Sequence, residues 1–290
     1  MDWDDLGIDW EYVVERLDRI IDLSEEALTR LLSDYPFDPS LFQEHTAFRW
    51  TRHRDHGFPA AVLHPSLADH GELLGLEIPL ETLRRNTEQF VRCYPANNIL
   101  LRGPYGSGKA SSVKGLLSLF ADQGLRLIEV GPEDLTQLPL MIDLLRDLPY
   151  RFLLFCEHLP LNEPEDRYRA LKALRDGGIE EPAGNLLIYA SCSKGPRQNT
   201  ATAHQIPARP SPLLHCFGIH LNFPALSQAS CLQLITVLAR RRKLSLGEME
   251  LEQAARQWLE ERGQSSGRVA RQFIDDLCGR LALQENRCPE

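Results

Sequence analysis

The stretch Asn97-Asn98-Ile99-Leu100-Leu101-Arg102-Gly103-Pro104-Tyr105-Gly106-Ser107-Gly108-Lys109 leaves a chain few ways to fold. A short apolar run is followed by a glycine-rich turn. Lys109 then opens a segment in which Val113, Leu116, Leu117 and Phe120 recur at helical spacing. Strand, loop and helix in that order form the setting of a phosphate-binding P-loop. Gly103, Gly106 and Gly108 permit positive φ and a close approach of backbone to phosphate. The first N–H groups of the helix point at the anion along its dipole.

Ser107, Ala110 and Ser111 complete the loop and the first helical turn, and Lys109 is placed to reach terminal phosphates. The pattern G-x-x-x-x-G-K-[ST] is met at Gly103, Gly108 and Lys109. Its last position is Ala110, which has no hydroxyl for a magnesium ion, and Ser111 comes one residue late. The competing reading of these residues is a glycine-rich turn capping a helix that carries a surface lysine.

Downstream, Leu125–Val130, Phe152–Cys156, Leu186–Ala190 and Ile219–Phe223 read as strands. Helical spacing falls between them, at Leu135 to Leu148 and Tyr168 to Arg175, with Gly124 and Gly177-Gly178 as breakers. Strands alternating with helices predict an α/β fold, a parallel sheet with helices on both faces, whose ligands sit at the carboxyl ends of the strands. From Ser227 onward the strand signals stop and helical periods run to Leu283. Three parts are expected: an N-terminal helical segment over 1–47, a P-loop α/β domain over 48–224 and a C-terminal helical lid over 225–290. Arg240-Arg241-Arg242-Lys243 reads as the solvated end of a helix.

In the N-terminal segment, Val13, Val14, Leu17, Ile20 and Ile21 share one helical face, and after Ser24 as N-cap Ala27, Leu28, Leu31 and Leu32 repeat it. Two short amphipathic helices are predicted, docked on the chain's own nucleotide domain or on a partner. The turn Pro36-Phe37-Asp38-Pro39 ends them. Arg49-Trp50-Thr51-Arg52-His53-Arg54-Asp55-His56 reads as an exposed linker or edge strand, with a small phosphate or nucleic-acid contact as the alternative. Leu73-Leu74-Gly75-Leu76, upstream of the loop, is a candidate wall for a base, with Gly75 at its turn.

A formal net charge of −9 argues against broad binding to nucleic acid or to an anionic membrane. The seven cysteines are scattered and contain no C-x-x-C pair, so neither a disulfide framework nor a zinc site is suggested. The acidic start Met1-Asp2-Trp3-Asp4-Asp5 is unlike a signal peptide, and no apolar run reaches membrane-spanning length. A cytoplasmic location is expected.

A P-loop of this layout needs an acidic residue at the end of a neighbouring strand to hold magnesium, and a second acid to activate water. The strand Phe152–Cys156 ends in Glu157-His158. Glu157 can ligate magnesium, and His158 stands in the place of the activating acid, where a neutral imidazole can accept a proton.

These stretches, together with Phe48-Arg49-Trp50, His64-Pro65, Asn86-Thr87-Glu88-Gln89-Phe90, Asp122-Gln123-Gly124-Leu125-Arg126, Ala170-Leu171-Lys172 and Ser266-Gly267-Arg268, resemble the bacterial AAA+-like ATPase family known as domain of unknown function 815. The resemblance runs from about residue 48 to the C-terminus. It implies phosphate binding by Gly103, Gly108 and Lys109, and makes Arg268 similar to the sensor-2 arginine that reaches the γ-phosphate from the lid. It also marks departures. Ala110 stands for the magnesium-binding Ser or Thr, Glu157-His158 for a pair of Asp, Ser193 for the sensor-1 Asn, and Cys216 for the arginine a neighbouring subunit would use.

An arginine of that kind is worth roughly three to five orders of magnitude in rate in related chemistry. The expectation is an ATP-binding protein with weak or absent hydrolysis, magnesium held through Glu157 if at all, acting on a protein partner and able to form a homo-oligomer. The alternatives are an active ATPase motor of the same fold and a scaffold that binds no nucleotide.

Overall fold

The computed structural model describes residues 10–32, 38–53, 56–161, 171, 183–193, 212–244 and 246–284. Its centre is a seven-stranded sheet built from β1 (Ala47–His53), β2 (His56–Ala61), β3 (Ile99–Arg102), β4 (Leu125–Val130), β5 (Arg151–Cys156), β6 (Leu186–Cys192) and β7 (Ile219–Asn222), in the order β2-β1-β4-β5-β6-β3-β7. β1 and β2 pair antiparallel, and every other neighbouring pair is parallel.

Two cores, one on each face, follow from the period of two along each strand. Leu100, Ile128, Phe152 and Leu154 join one cluster with Phe42, Trp50 and Met141. Ile99, Leu101, Leu127, Leu153 and Phe155 join the other with Leu83, Phe90, Val113 and Leu116. Ile99–Leu101 of β3, Phe152–Cys156 of β5 and Leu186–Ala190 of β6 therefore read as unbroken apolar runs, because both faces of these strands are covered. The helices that cover them are α2 (Leu41–Glu44), α3 (Glu77–Val91), α4 (Lys109–Phe120) and α5 (Leu138–Leu145). α5 is shorter than its apolar spacing suggests, since Pro132–Gln137 forms a 3-10 turn ahead of it. The helical pattern at Tyr168 to Arg175 and the Gly177-Gly178 break lie outside the described residues, Leu171 excepted.

β1 corrects the expectation of an exposed linker or edge strand. It is internal, paired with β2 on one side and β4 on the other. Phe48 and Trp50 point into the core while Arg49 and Arg52 stay outside and pair with Glu129 and Asp134. Trp50 Nε1 donates to Gln137 Oε1 at 2.7 Å. The edge is β2, and Pro59 within it has no N–H to offer another strand.

α1 is one helix, Trp10–Leu32, and not two. Ser24 does not cap a second helix; its hydroxyl donates back to the Ile21 carbonyl at 2.8 Å, a bond available in mid-helix. The expected docking on the nucleotide domain is not found, because Val14, Leu17, Ile20 and Ile21 are all more than half exposed. Of the predicted turn at Pro36–Pro39, residues 36 and 37 lie outside the described part.

The C-terminal helices α6 (Gln228–Arg241), α7 (Glu248–Arg262) and α8 (Gly267–Gln284) share a core of their own around Leu234, Ile235, Ala255, Ala270 and Phe273. Ser227 caps α6, accepting from Ser230 N at 3.0 Å. The basic run at the end of α6 is not simply solvated: Arg240 pairs with Glu248, Arg241 with Asp69 and Glu72, and Arg242 with Asp275. No helix among the described residues is long and apolar enough to cross a membrane.

Candidate functional site

β3 ends at Arg102 and α4 begins at Lys109, so the glycine-rich stretch is the strand-to-helix turn its spacing predicts. Gly106 (φ 73°) and Gly108 (φ 93°) take the left-handed conformation that favours glycine. Gly103 is required for a different reason: a Cβ there would lie 2.2 Å from the Phe223 carbonyl oxygen, just past β7.

Lys109 is 5% exposed and its ammonium is held inside the loop, donating to the carbonyls of Gly103 at 2.8 Å and Pro104 at 2.7 Å. Burial pushes its pKa down, against the pull of Cys192 and Glu157. Ser107 closes the loop through a bond from its hydroxyl to the Pro104 carbonyl at 2.9 Å. Ser112 does not face the loop's ligand side; its hydroxyl donates to Gly108 O at 2.9 Å.

A cavity of about 290 Å³ lies between this loop and α8. Gly106, Gly108, Lys109, Ala110 and Ser111 form one wall, Gly267 and Arg268 the opposite one, and Glu157 with His158 a third. Most of the sequence-derived candidates thus converge, Ser111 beside Ala110 among them. Gly103 and Ser107 shape the loop without lining the cavity, and Gly75 lies outside it. Gly75 instead makes the positive-φ turn (φ 73°) that delivers Leu73 to the cavity and packs Leu76 against Gly108.

One expectation about how the carboxylate arrives is corrected. The strand ending in Glu157 is not next to the loop strand: β6 lies between β5 and β3. Its far end therefore fills the gap, and Ser191 ties the Glu157-His158 turn in place by accepting from His158 N through its hydroxyl at 3.2 Å and from Leu159 N through its carbonyl at 2.7 Å. His158 adopts φ 63°, uncommon for a side-chain-bearing residue. Its Nε2 lies 3.5 Å from Glu157 Oε1 and its ring 5.1 Å from that of Tyr105. Ser193, just past β6, has a buried hydroxyl that bonds no other described residue. Cys216 is buried in the core beside the Asn98 amide, which donates to its carbonyl at 3.3 Å, so this position does not reach the surface where a neighbouring subunit would meet it.

Tyr105, Glu72 and Arg271 are among the cavity residues that the sequence does not single out. Arg271 follows Arg268 by three residues on one helix, a spacing that puts both on one face. Glu72 has no local signal, since its partners Arg241 and Arg271 are far away in sequence.

No curated protein matches the chain. Among solved structures it is similar to RuvB of Thermotoga maritima, described as a Holliday junction branch migration motor, at 18% identity and a TM-score of 0.45, covering 72% of each chain. A point variant of that RuvB matches at 15% identity and a TM-score of 0.45, over 70% of this chain and 69% of the other. The family profile described as "Protein of unknown function (DUF815)" matches residues 43–205 and 208–281. With a P-loop at the carboxyl ends of the strands of a doubly covered, mostly parallel sheet, the chain has a P-loop α/β fold and belongs to the DUF815 family.

Proposed function

We propose that this protein binds ATP between the P-loop and the C-terminal helical lid, hydrolyses it slowly or not at all, and acts as a nucleotide-dependent protein-interaction module. One observation carries the reading. The cations and glycines suited to phosphate, Lys109 and Arg268 with Gly106 and Gly108, face the same cavity as Ala110 and Glu157-His158, where a hydroxyl and a second carboxylate would serve hydrolysis. The phosphate side is complete and the hydrolytic side is altered.

Magnesium fits the site only in part. Glu157 and the Ser111 hydroxyl would hold it, and the ion supplies charge neutralisation between phosphate oxygens when bound. Octahedral coordination would then lean on phosphate and water. Among the described residues there is no group of three or more His, Cys, Asp or Glu placed to hold a metal.

A second reading, a slow ATPase, is favoured by the proximity of His158 Nε2 to Glu157 Oε1 at the cavity wall. There the imidazole would take a proton from water and the carboxylate would orient it. His158→Ala abolishes any turnover on that reading; unchanged turnover removes His158 from the chemistry.

Binding itself is tested by thermal unfolding with Mg-ATP. At a hundred times the dissociation constant, ATP stabilises the folded chain by about 2.7 kcal/mol. The shift is absent in Lys109→Ala. No shift in the wild type would overturn the proposal and leave the scaffold reading.

A further inference from the structure

We propose that Arg271 is a second phosphate-binding arginine of this cavity, held by Glu72 in the free protein and transferred to the phosphates when nucleotide enters. The inference rests on the reading of the cavity as an ATP site. Arg271 and Glu72 line the same cavity as Lys109 and Arg268. Arg271 follows Arg268 on α8 by three residues, on the same face and about 4.5 Å further along the axis.

The contacts of Glu72 allow the transfer. Its side chain is 18% exposed and divides its two oxygens: Oε1 accepts from Arg241 Nη1 at 2.7 Å, and Oε2 from Arg271 Nη2 at 3.2 Å. When Arg271 leaves, Glu72 keeps Arg241, which also holds Asp69 at 2.6 Å. No carboxylate is stranded, and a stranded charge is what ordinarily makes breaking a buried ion pair costly. The contact given up is the longer of the two, and its arginine is 47% exposed, so it is weak. A guanidinium on a phosphate replaces it, with charge-assisted and commonly bidentate hydrogen bonds.

Space and charge agree with this. Arg271 also borders a smaller cavity of about 150 Å³, together with Glu72, Arg241, Arg242 and Asp275, so its side chain stands between two open volumes. Asp275, which lines both cavities, is paired with Arg242 at 3.3 Å. With Glu72 and Asp275 each held by an arginine at the end of α6, Glu157 is the remaining carboxylate of the ATP cavity, against Lys109, Arg268 and Arg271. An entering polyphosphate repels Glu72 and attracts Arg271, and both forces drive the exchange.

The test is calorimetric titration of the full chain with Mg-ATP and with inorganic tripolyphosphate, thermal unfolding confirming that each variant is folded. Arg271→Ala is expected to weaken both ligands on the order of tenfold, and Arg271→Lys, which keeps the charge without the fork, to weaken them less. Glu72→Gln removes the competing carboxylate and is expected to tighten both; the gain shrinks when Arg271→Ala is already present.

Affinities unchanged in Arg271→Ala, while wild-type binding still depends on Lys109, overturn the inference and leave Arg271 a structural ion-pair residue. So does weakening by Glu72→Gln equal to that by Arg271→Ala, because the intact pair would then set the affinity. A loss for ATP with none for tripolyphosphate puts Arg271 on the base or ribose and overturns it as well. A wild type that binds neither ligand overturns the ATP reading and this inference with it.

Discussion

The backbone N–H of Gly267, at the start of α8, donates to the carbonyl of Gly106 in the P-loop at 3.0 Å. The loop and the C-terminal helices are thus in direct backbone contact at the mouth of the cavity. A Cβ on Gly106 would lie 2.8 Å from the Ser266 Cβ, and Gly106 already has φ 73°.

Gly106→Ala therefore meets two costs, a left-handed conformation worth roughly 1–2 kcal/mol and a clash with Ser266. The expected result is a melting temperature lowered by several degrees, together with a larger proportional loss of ATP affinity. Calorimetry on the free protein and ATP titration of the same variant separate the two effects.

Glu72 joins the C-terminal helices to the segment ahead of α3. Its two oxygens accept from Arg241 at 2.7 Å and Arg271 at 3.2 Å, while Asp69 also accepts from Arg241 at 2.6 Å. These groups are partly exposed, so Glu72→Gln is expected to cost no more than about 1 kcal/mol, an effect that shrinks as salt is raised. Faster hydrogen exchange at the start of α8 is the more sensitive reading, because the variant loosens the attachment of α8 without emptying the core.

Tyr189 holds a buried polar knot beneath the loop strand. Its hydroxyl meets Asn86 Nδ2 at 2.9 Å and Thr87 Oγ1 at 2.9 Å. Burial pushes the phenol pKa up to about 12, so the group is neutral throughout the physiological range. Tyr189→Phe leaves the Thr87 hydroxyl without this partner and is expected to cost about 1–3 kcal/mol, measured by denaturant unfolding, with ATP affinity unchanged.

Asp134, paired with Arg52 at the end of β1, has its pKa raised by burial in spite of that partner. The sign follows from linkage. A carboxyl whose folded pKa lies above its unfolded value contributes stability that is fully present below the unfolded pKa, near 3.8, and lost as pH rises through the folded pKa. Relative to Asp134→Asn, the wild type is expected to lose stability as pH rises from the unfolded value through the raised folded pKa. A flat difference across that range would contradict the assignment.

Much of the nucleotide domain was legible because its signals are local. The loop from Gly103 to Lys109 and the apolar runs of β4, β5 and β6 carry their own turn chemistry and periodicity. The spatial order of strands is not local, and the insertion of β6 between Glu157 and the loop strand was therefore missed. The hairpin of β1 and β2 was obscured because Arg49 and Arg52 gave a basic look to a strand whose alternate residues, Phe48 and Trp50, are core. Serine is a strong capping signal and so suggests two helices within α1, yet a serine in mid-helix can satisfy its hydroxyl on a preceding carbonyl, as Ser24 does. Glu72 and Arg271 are 199 residues apart, and only the fold brings them together.

Single-turnover hydrolysis of radiolabelled Mg-ATP at high protein concentration, with Lys109→Ala as the control, tests the central claim most directly. High concentration lets any residue of a neighbouring copy take part. The account predicts labelled nucleotide retained by the wild type, lost from the control, and converted to product slowly or not at all. Rapid turnover that vanishes in Lys109→Ala would contradict it and make Glu157 and His158 parts of a working ATPase.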